Sequence, residues 1–497
     1  MMVSSPILQA VFLLPVIYLL QRWFRGYLAE RRFQRFARDN DCQPPHLSIN
    51  QLPWGIDRII QAFRSKGDIL DGLIFARYKR EGTWTYTHTT LFGQHMLHTA
   101  EPRNLQAILA TRFKDFEIGE TRHRQFGPLL GYGILTSDGP AWEHFRALLK
   151  PQFSREQISD LNVAERHVQH LFQALHVKDD GWTEGGDILE LFYRLTLDII
   201  TEFLVGRSVN LQLAALDKVA SEGGTAPTDA TQASAEAYFR DGFAISQETL
   251  MWRIRLQGLY WLMDSKAFRR ACAMCHRFID GYVATALNST RVGAEKDARV
   301  TDAAKEKYVL LDKLVESTQD PIELRDQLLQ LLIAGRDTTA TTLAFVFGIL
   351  ARQPEAWTKL RAEVLQIFGA EGQGEEITFA KLKSARYVQY VINETLRLYP
   401  VIPLNNRIAV RDSVLPVGGG PDGKGPIAVR KGTLVMFSDY IMHRREDIWG
   451  EDVLEWKPER WVDRKHGWEY LPFNGGPRTC IGRESSYHVS TLWKPRR

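Results

Sequence analysis

The sequence predicts a mainly α-helical protein of the α+β class, with a small β portion and an N-terminal transmembrane helix. From about Glu143 to Arg352, apolar residues recur mostly at helical spacing. Strand-forming residues gather near Thr83–Leu91, and short apolar runs interrupted by prolines follow Leu398. A chain of 497 residues is long enough for one large catalytic unit or for two to three domains.

The first 24 residues predict the membrane helix. No charged side chain occurs from Met1 to Gln21, and Met2–Phe24 approaches the ~20 residues that are needed to cross a bilayer. A cleaved signal peptide would carry positive charge before its apolar run. Here the basic residues follow that run, as Arg22, Arg25, Arg31, Arg32, Arg35 and Arg38. Because positive residues stay cytoplasmic, we expect residues 1–24 to be a retained signal anchor and the rest of the protein to be cytosolic.

The chain after this anchor divides into a linker and a catalytic domain. Pro44, Pro45 and Pro53 disfavour a helix, so residues 25–54 are expected to be a basic, proline-containing linker before a domain at 55–497. A formal net charge of +4 gives no support to nucleic-acid binding. Four scattered cysteines are too few for a disulfide framework, which favours a reducing compartment.

One cysteine lies in a glycine-rich loop near the C-terminus. In the segment Phe473–Gly482 (FNGGPRTCIG), Cys480 follows an aromatic residue by seven positions and Arg478 by two. Glycine has no Cβ, so a backbone of this kind can approach a flat macrocycle closely. A cysteine thiolate gives electron density to haem iron and favours O–O cleavage. The loop therefore predicts Cys480 as the axial ligand of haem iron, in preference to a buried structural cysteine.

A long apolar helix with a polar island in its middle is predicted around Leu328–Leu350. The island is the segment Ala334–Thr339 (AGRDTT). Asp337 and Thr338 would be costly to bury there unless they were paired or used, and Thr338 can bond back to a carbonyl and hold water. Gly335 is expected to leave room for a flat cofactor or O2. The alternative is a kinked core helix without chemistry.

Two further pairs of residues stand at helical spacing. Glu394 and Arg397 lie three positions apart, on one helix face, where a rigid bidentate pair can form. Trp142 and Arg146 lie four positions apart, after the helix-starting segment Asp138–Pro140. Both can face a haem edge, the arginine binding a propionate by a charge-assisted bond and the tryptophan by its N–H group. An ordinary half-exposed helix face is the alternative for this second pair.

In chain order, these segments resemble the cytochrome P450 family over almost the whole length of the chain. The resemblance implies the P450 fold and a bound haem b. It implies the following cofactor-binding residues: Trp142, Arg146, Arg407, Phe473, Arg478 and Cys480, the last of which is also the iron ligand.

A glycine-rich stretch, Gly418–Lys424, is similar to a phosphate-binding loop, but the prolines Pro421 and Pro426 favour a hairpin.

The same resemblance implies roles outside the haem contacts. Thr338 would orient a proton-donating water, and Asp337 would supply the proton relay. Arg460, in the segment Pro458–Trp461 (PERW), would join the pair Glu394 and Arg397 as a scaffold for the cysteine loop. Electrons would come from NADPH through NADPH–cytochrome P450 reductase, with cytochrome b5 as a second donor. The enzyme would lie on the endoplasmic reticulum membrane as a single-pass protein with a cytosolic catalytic domain.

Finer features resemble the fungal group of P450s that hydroxylate alkanes and fatty acids. They are the segments Phe126–Gly131, Gly133–Leu135, Arg146–Ser154 and Gly418–Gly423. The expected function is a haem–thiolate monooxygenase that inserts one oxygen atom from O2 into a lipophilic substrate, with a long-chain fatty acid or alkane favoured. The alternative substrate is a fungal secondary metabolite of the polyketide or terpenoid type.

The last fifteen residues depart from the family pattern. After Gly482 the family continues as a long apolar helix and a β-hairpin, whereas Arg483–Arg497 has no sustained apolar stripe and contains Pro495. The sequence therefore predicts a catalytic domain that is truncated after the haem loop. This segment supports a second alternative, an inactive membrane-anchored P450 remnant.

Overall fold

Helices make up most of the chain, which confirms the predicted class. The computed structural model describes residues 6–65, 68–90, 95–154, 161–175, 178–179, 181–183, 186–221, 230–293, 309–369 and 377–483. Within these ranges the first helices are α1 (Pro6–Asp39), α2 (Ile56–Arg64), α3 (Ala76–Glu81), α4 (Pro102–Gln106), α5 (Glu120–Leu130), α6 (Gly139–Leu149), α7 (Asn162–Ala174), α8 (Ile188–Val205) and α9 (Leu211–Ser221). The others are α10 (Ala230–Arg255), α11 (Lys266–Gly293), α12 (Leu310–Ser317), α13 (Pro321–Leu350), α14 (Pro354–Phe368), α15 (Phe379–Ser384), α16 (Arg386–Leu398), α17 (Asp439–Met442) and α18 (Glu446–Trp449).

The β portion consists of two small sheets in the described part of the chain. Their strands are β1 (His46–Leu47), β2 (Thr85–Thr89), β3 (His95–Thr99), β4 (Phe116–Glu117), β5 (Asn405–Ala409), β6 (Ser413–Gly419), β7 (Gly425–Val429) and β8 (Leu434–Phe437). The larger sheet has the order β1-β2-β3-β8-β5-β4, and β6 and β7 form an antiparallel pair. The prediction of a strand near Thr83–Leu91 and of a hairpin at Gly418–Lys424 is therefore confirmed.

Helix α13 runs through the core and positions the polar island. Asp320 caps its first turn, since the Asp320 carboxylate accepts a hydrogen bond from the N–H of Ile322 (2.9 Å), and Pro321 occupies the first helical position. Apolar residues of α13, including Leu328 and Leu332, are fully buried in one core cluster with residues of α8, α10, α11 and α12. The long helix that the sequence predicts at Leu328–Leu350 thus begins seven residues earlier, at Pro321.

The N-terminal region differs from the predicted division into anchor and linker. Helix α1 continues without interruption to Asp39, so much of the predicted linker is helical. After α1, the strand β1 pairs with β2 in parallel, which places His46 and Leu47 in the sheet. The helix continues because residues 25–39 contain no proline or other helix breaker apart from one glycine, Gly26. Among the residues that the structure describes, no helix is both long enough and apolar enough to cross a bilayer.

Candidate active site

The loop that carries Cys480 is closed on itself by a backbone hydrogen bond. The N–H of Cys480 donates to the carbonyl of Phe473 (2.9 Å), and Asn474 adopts the left-handed conformation with φ of 62°. The Cys480 side chain is accessible to solvent, although protein atoms surround it on most sides. Burial raises the pKa of the Cys480 thiol, whereas the N–H of Gly482 and the charge of Arg146 lower it. An accessible sulfur with donors and cations beside it is suited to bind a metal ion as thiolate.

Two glycines of this loop are required by contacts with protein. Gly476 has φ of +66°, and a Cβ there would lie 1.8 Å from the carbonyl oxygen of Leu109. A Cβ on Gly475 would lie 2.6 Å from the ring of Trp468. These two glycines therefore permit close packing of the cysteine loop against the chain near Leu109 and Trp468.

Gly335 on α13 also stands at a close contact. A Cβ at this position would lie 2.8 Å from the side chain of Ile200 on α8. Gly335 therefore permits close packing of α8 against α13. A hydrogen bond fixes the same crossing, because the Thr196 hydroxyl donates to the carbonyl of Arg336 (3.0 Å).

One stripe of α13 remains uncovered although the helix crosses the core. Ala334, Phe345 and Gly348 are exposed, and Thr338 lies between them on the same face at helical spacing. The Thr338 hydroxyl donates to the carbonyl of Ala334 (2.7 Å). Since that bond uses its proton, the hydroxyl oxygen can accept a further hydrogen bond from the open side.

Helix α13 also holds the loop between α5 and α6. Gln330 accepts a hydrogen bond from the N–H of Leu135 (2.7 Å) and donates to the carbonyl of Leu130 (3.0 Å). Asp326 accepts from the N–H of Tyr132 (2.9 Å). The far end of this loop contacts the cysteine loop, because Arg478 donates to Asp138 (2.7 Å). The segment between α5 and α6 thus contacts both α13 and the cysteine loop.

The predicted haem-contacting residues form one group with an excess of positive charge. Arg478 lies over the ring of Trp142 (4.4 Å to its centroid), and Arg146 lies on the same ring system (5.8 Å). Burial lowers the pKa of Arg478 to about 10 and that of Arg407 well below its usual range, with the neighbouring arginines lowering the Arg407 value further. Among the described residues, six charged side chains interact with one another at this place. They are four guanidiniums and two carboxylates: Arg122, Arg146, Arg407, Arg478, Glu117 and Asp138.

This excess of two positive charges fits a ligand with two anionic groups. Burying unpaired charge is costly, so a dianionic group at this place would stabilise the folded state. The two propionates of a haem would supply that charge, with Cys480 able to bind its iron.

The sequence did not predict Arg122 as a member of this group. Its guanidinium donates to Asn405 (2.9 Å), 283 positions away along the chain, and no local pattern marks it.

Glu394, Arg397 and Arg460 lie together in one network, in which Glu394 and Arg397 are fully buried and Arg460 is partly buried. Arg397 donates twice to Glu394 (2.9 Å for both bonds), and Arg460 donates to the same carboxylate (3.2 Å). Arg397 also donates to the carbonyls of His443 (2.8 Å) and Val453 (2.7 Å). The network therefore ties α16 to the irregular chain that precedes the cysteine loop.

Comparison with known proteins identifies the family. The sequence profile of the cytochrome P450 family matches residues 85–487. Cytochrome P450 monooxygenase g430 of Fusarium sp is 44% identical over 470 residues, which are 94% of this chain and 80% of that protein. Cytochrome P450 52A5 of Candida maltosa is 43% identical over 433 residues (86% and 78%). Cytochrome P450 monooxygenase milC of Cordyceps militaris is 39% identical over 455 residues (91% and 85%).

The helical fold and the cysteine loop are those of haem–thiolate monooxygenases. The chain belongs to the cytochrome P450 family and is a cytochrome P450 monooxygenase, as the sequence predicts. Haem bound through a cysteine thiolate is the cofactor that this family implies. Of the segment Arg483–Arg497, which departs from the family pattern, only Arg483 lies within the described residues.

Proposed function

We propose that this P450 hydroxylates a long-chain fatty acid or alkane. The observation that carries the proposal is the exposure of apolar side chains on the Thr338 stripe itself and on two segments that contact α13. Phe345 is 39% exposed and stacks on Tyr399 (4.8 Å between ring centroids), and Ile402, which follows Tyr399, is 54% exposed. Leu135, hydrogen-bonded to α13 through its backbone, is 40% exposed. An apolar substrate would remove this surface from water.

A resemblance in the sequence also supports a hydrocarbon substrate. The segments Phe126–Gly131 and Arg146–Ser154 resemble the fungal group that hydroxylates alkanes and fatty acids. When bound, haem with a thiolate ligand supplies oxygen activation. The chain supplies the ligand Cys480, the positive group for the propionates and the apolar wall for the substrate.

The substrate class is tested by titrating the haem-bound protein with chain-length series of fatty acids and n-alkanes, and with polyketide and terpenoid compounds. We expect a saturable change of haem absorption with the linear series. Each added CH2 should tighten binding by up to about fourfold while it remains buried. Tight binding of a polyketide or terpenoid, without a response to the linear series, would assign the enzyme to secondary metabolism instead.

Thr338 and Asp337 are proposed to deliver protons. The Thr338 oxygen is free to accept a hydrogen bond on the uncovered face of α13, where it can hold a water molecule. Burial raises the pKa of Asp337, while Arg336 and Gln247 lower it. Within the described part of the chain, the Asp337 carboxylate accepts hydrogen bonds from Arg336 and Gln247 and has no hydrogen bond to Thr338. A relay would therefore connect the two side chains through water.

We expect Thr338→Ala to separate NADPH oxidation from hydroxylation. Without the hydroxyl that positions water, NADPH oxidation should continue while hydrogen peroxide replaces hydroxylated product. Thr338→Ser keeps the hydroxyl and should retain most of the product yield. Measurement of product, peroxide and NADPH in the same reaction tests the proposal, and an unchanged ratio of product to NADPH in Thr338→Ala would refute the role.

We also propose attachment to the endoplasmic reticulum membrane through residues 1–24, with electrons supplied by NADPH–cytochrome P450 reductase and cytochrome b5 as a second donor. Large apolar side chains on the described part of this segment are exposed, among them Leu14, Tyr18 and Trp23. Deletion of residues 1–24 is expected to move the protein from the membrane pellet to the supernatant after a wash at high salt. Retention in the pellet would show that another surface holds the membrane.

A further inference from the structure

We propose that Gln247 on α10 is a positioning residue for the proton-delivering carboxylate of Asp337. The proposal rests on the proposed role of Asp337. The Gln247 amide donates to one carboxylate oxygen of Asp337, and Arg336 donates to the other (2.9 Å). Gln247 in turn accepts a hydrogen bond from Arg336 (3.3 Å). The three side chains form a closed ring of hydrogen bonds that joins α10 to α13 beside the polar island.

Arg336 is the fixed member of this ring. Its guanidinium contacts two aromatic rings, that of Tyr193 on α8 (4.5 Å to the centroid) and that of Phe243 on α10 (5.2 Å). The carbonyl of Arg336 accepts the hydrogen bond from Thr196 on α8. Because aromatic contacts from both helices hold the guanidinium in place, the orientation of the Asp337 carboxylate depends on the position of α10.

Gln247 and Arg336 make different kinds of interaction with the Asp337 carboxylate. Arg336 is the charged group that faces the carboxylate, and Gln247 is the neutral donor that reaches it from the neighbouring helix. Tyr193 on α8, whose aromatic ring contacts the Arg336 guanidinium, also carries a titratable phenol. Removing the amide leaves one oxygen of the partly buried carboxylate without its donor, which favours the protonated acid. The acid-side limb of the activity profile should then move to higher pH.

The test is a double-mutant cycle with Gln247→Met, which keeps the volume of the side chain and removes both hydrogen bonds, and Asp337→Asn. The ratio of product to NADPH and its pH profile are measured on haem-bound enzyme that binds substrate normally. Gln247→Met alone should lower the ratio by about fivefold, within the range for members of one hydrogen-bonded network. In the Asp337→Asn background it should have no further effect, because Gln247 acts through that carboxylate.

Gln169→Met is the matched control, since Gln169 makes a comparable hydrogen bond with Glu165 on α7 (3.1 Å), away from the ring. It should change neither the ratio nor the pH profile. Equal effects of Gln247→Met in both backgrounds, or no effect in the wild type, would overturn the positioning role while leaving the relay in place. An Asp337→Asn enzyme with wild-type yield and pH profile would instead remove the relay itself, and this inference with it.

Discussion

Replacing Cys480 with alanine is expected to reduce substrate hydroxylation to background while the fold is retained. We propose this sulfur as the ligand of haem iron, and the Cys480 side chain is exposed rather than packed in a core cluster. Its removal deletes the ligand that favours oxygen activation without opening a cavity in the core. Product formation and the far-ultraviolet circular dichroism of the purified variant together measure both parts of the prediction.

Cys42→Ala is the control for this prediction. Cys42 is half-buried near the end of α1, and its thiol donates a weak hydrogen bond to the carbonyl of Asn40 (3.6 Å). This variant should keep wild-type activity. Hydroxylation by Cys480→Ala at the wild-type rate would show that another group holds the cofactor.

Replacing Arg397 with methionine is expected to have the largest effect on folding stability. Arg397 and Glu394 are both fully buried, and Glu394 also accepts hydrogen bonds from Arg460, Trp461 and the N–H of Lys457. Loss of Arg397 leaves a buried carboxylate with less positive charge beside it and removes donors from the carbonyls of His443 and Val453. We expect the free energy of unfolding to fall by about 3–5 kcal/mol, as measured by chemical denaturation.

Two further variants serve as controls for the effect of Arg397→Met on stability. Arg194→Met removes a partly exposed arginine from a pair with Glu190 on α8 (3.2 Å), and it should cost no more than about 1 kcal/mol. The double variant Glu394→Gln with Arg397→Met removes both opposed charges and should recover part of the loss. A loss for Arg397→Met equal to that of Arg194→Met would contradict the importance of the buried network.

The elements that could be predicted from the sequence are those with local signals. The helix α13 follows from sustained apolar content, and the hairpin of β6 and β7 follows from glycines flanked by Pro421 and Pro426. The pairing of Glu394 with Arg397 needs only a helical spacing of three. In each of these cases the physical cause lies within a few residues of the chain.

The features that escaped prediction depend on tertiary contacts. Gln247 meets Asp337 across 90 positions of the chain, and Arg122 meets Asn405 across 283. Nothing in the neighbouring residues marks either side chain. The glycines could be interpreted only in part from the sequence. A glycine indicates that other atoms lie close to its backbone, but only the fold shows that these atoms belong to Ile200 at Gly335 and to Leu109 at Gly476.

The most direct test of the haem–thiolate assignment is the carbon monoxide difference spectrum of the reduced wild-type protein. We expect the red-shifted Soret band of thiolate-ligated haem, at a haem content near one per chain. A purified, folded protein without haem, or a carbonyl complex whose Soret band lacks the red shift, would contradict the proposal that Cys480 holds the iron in this chain.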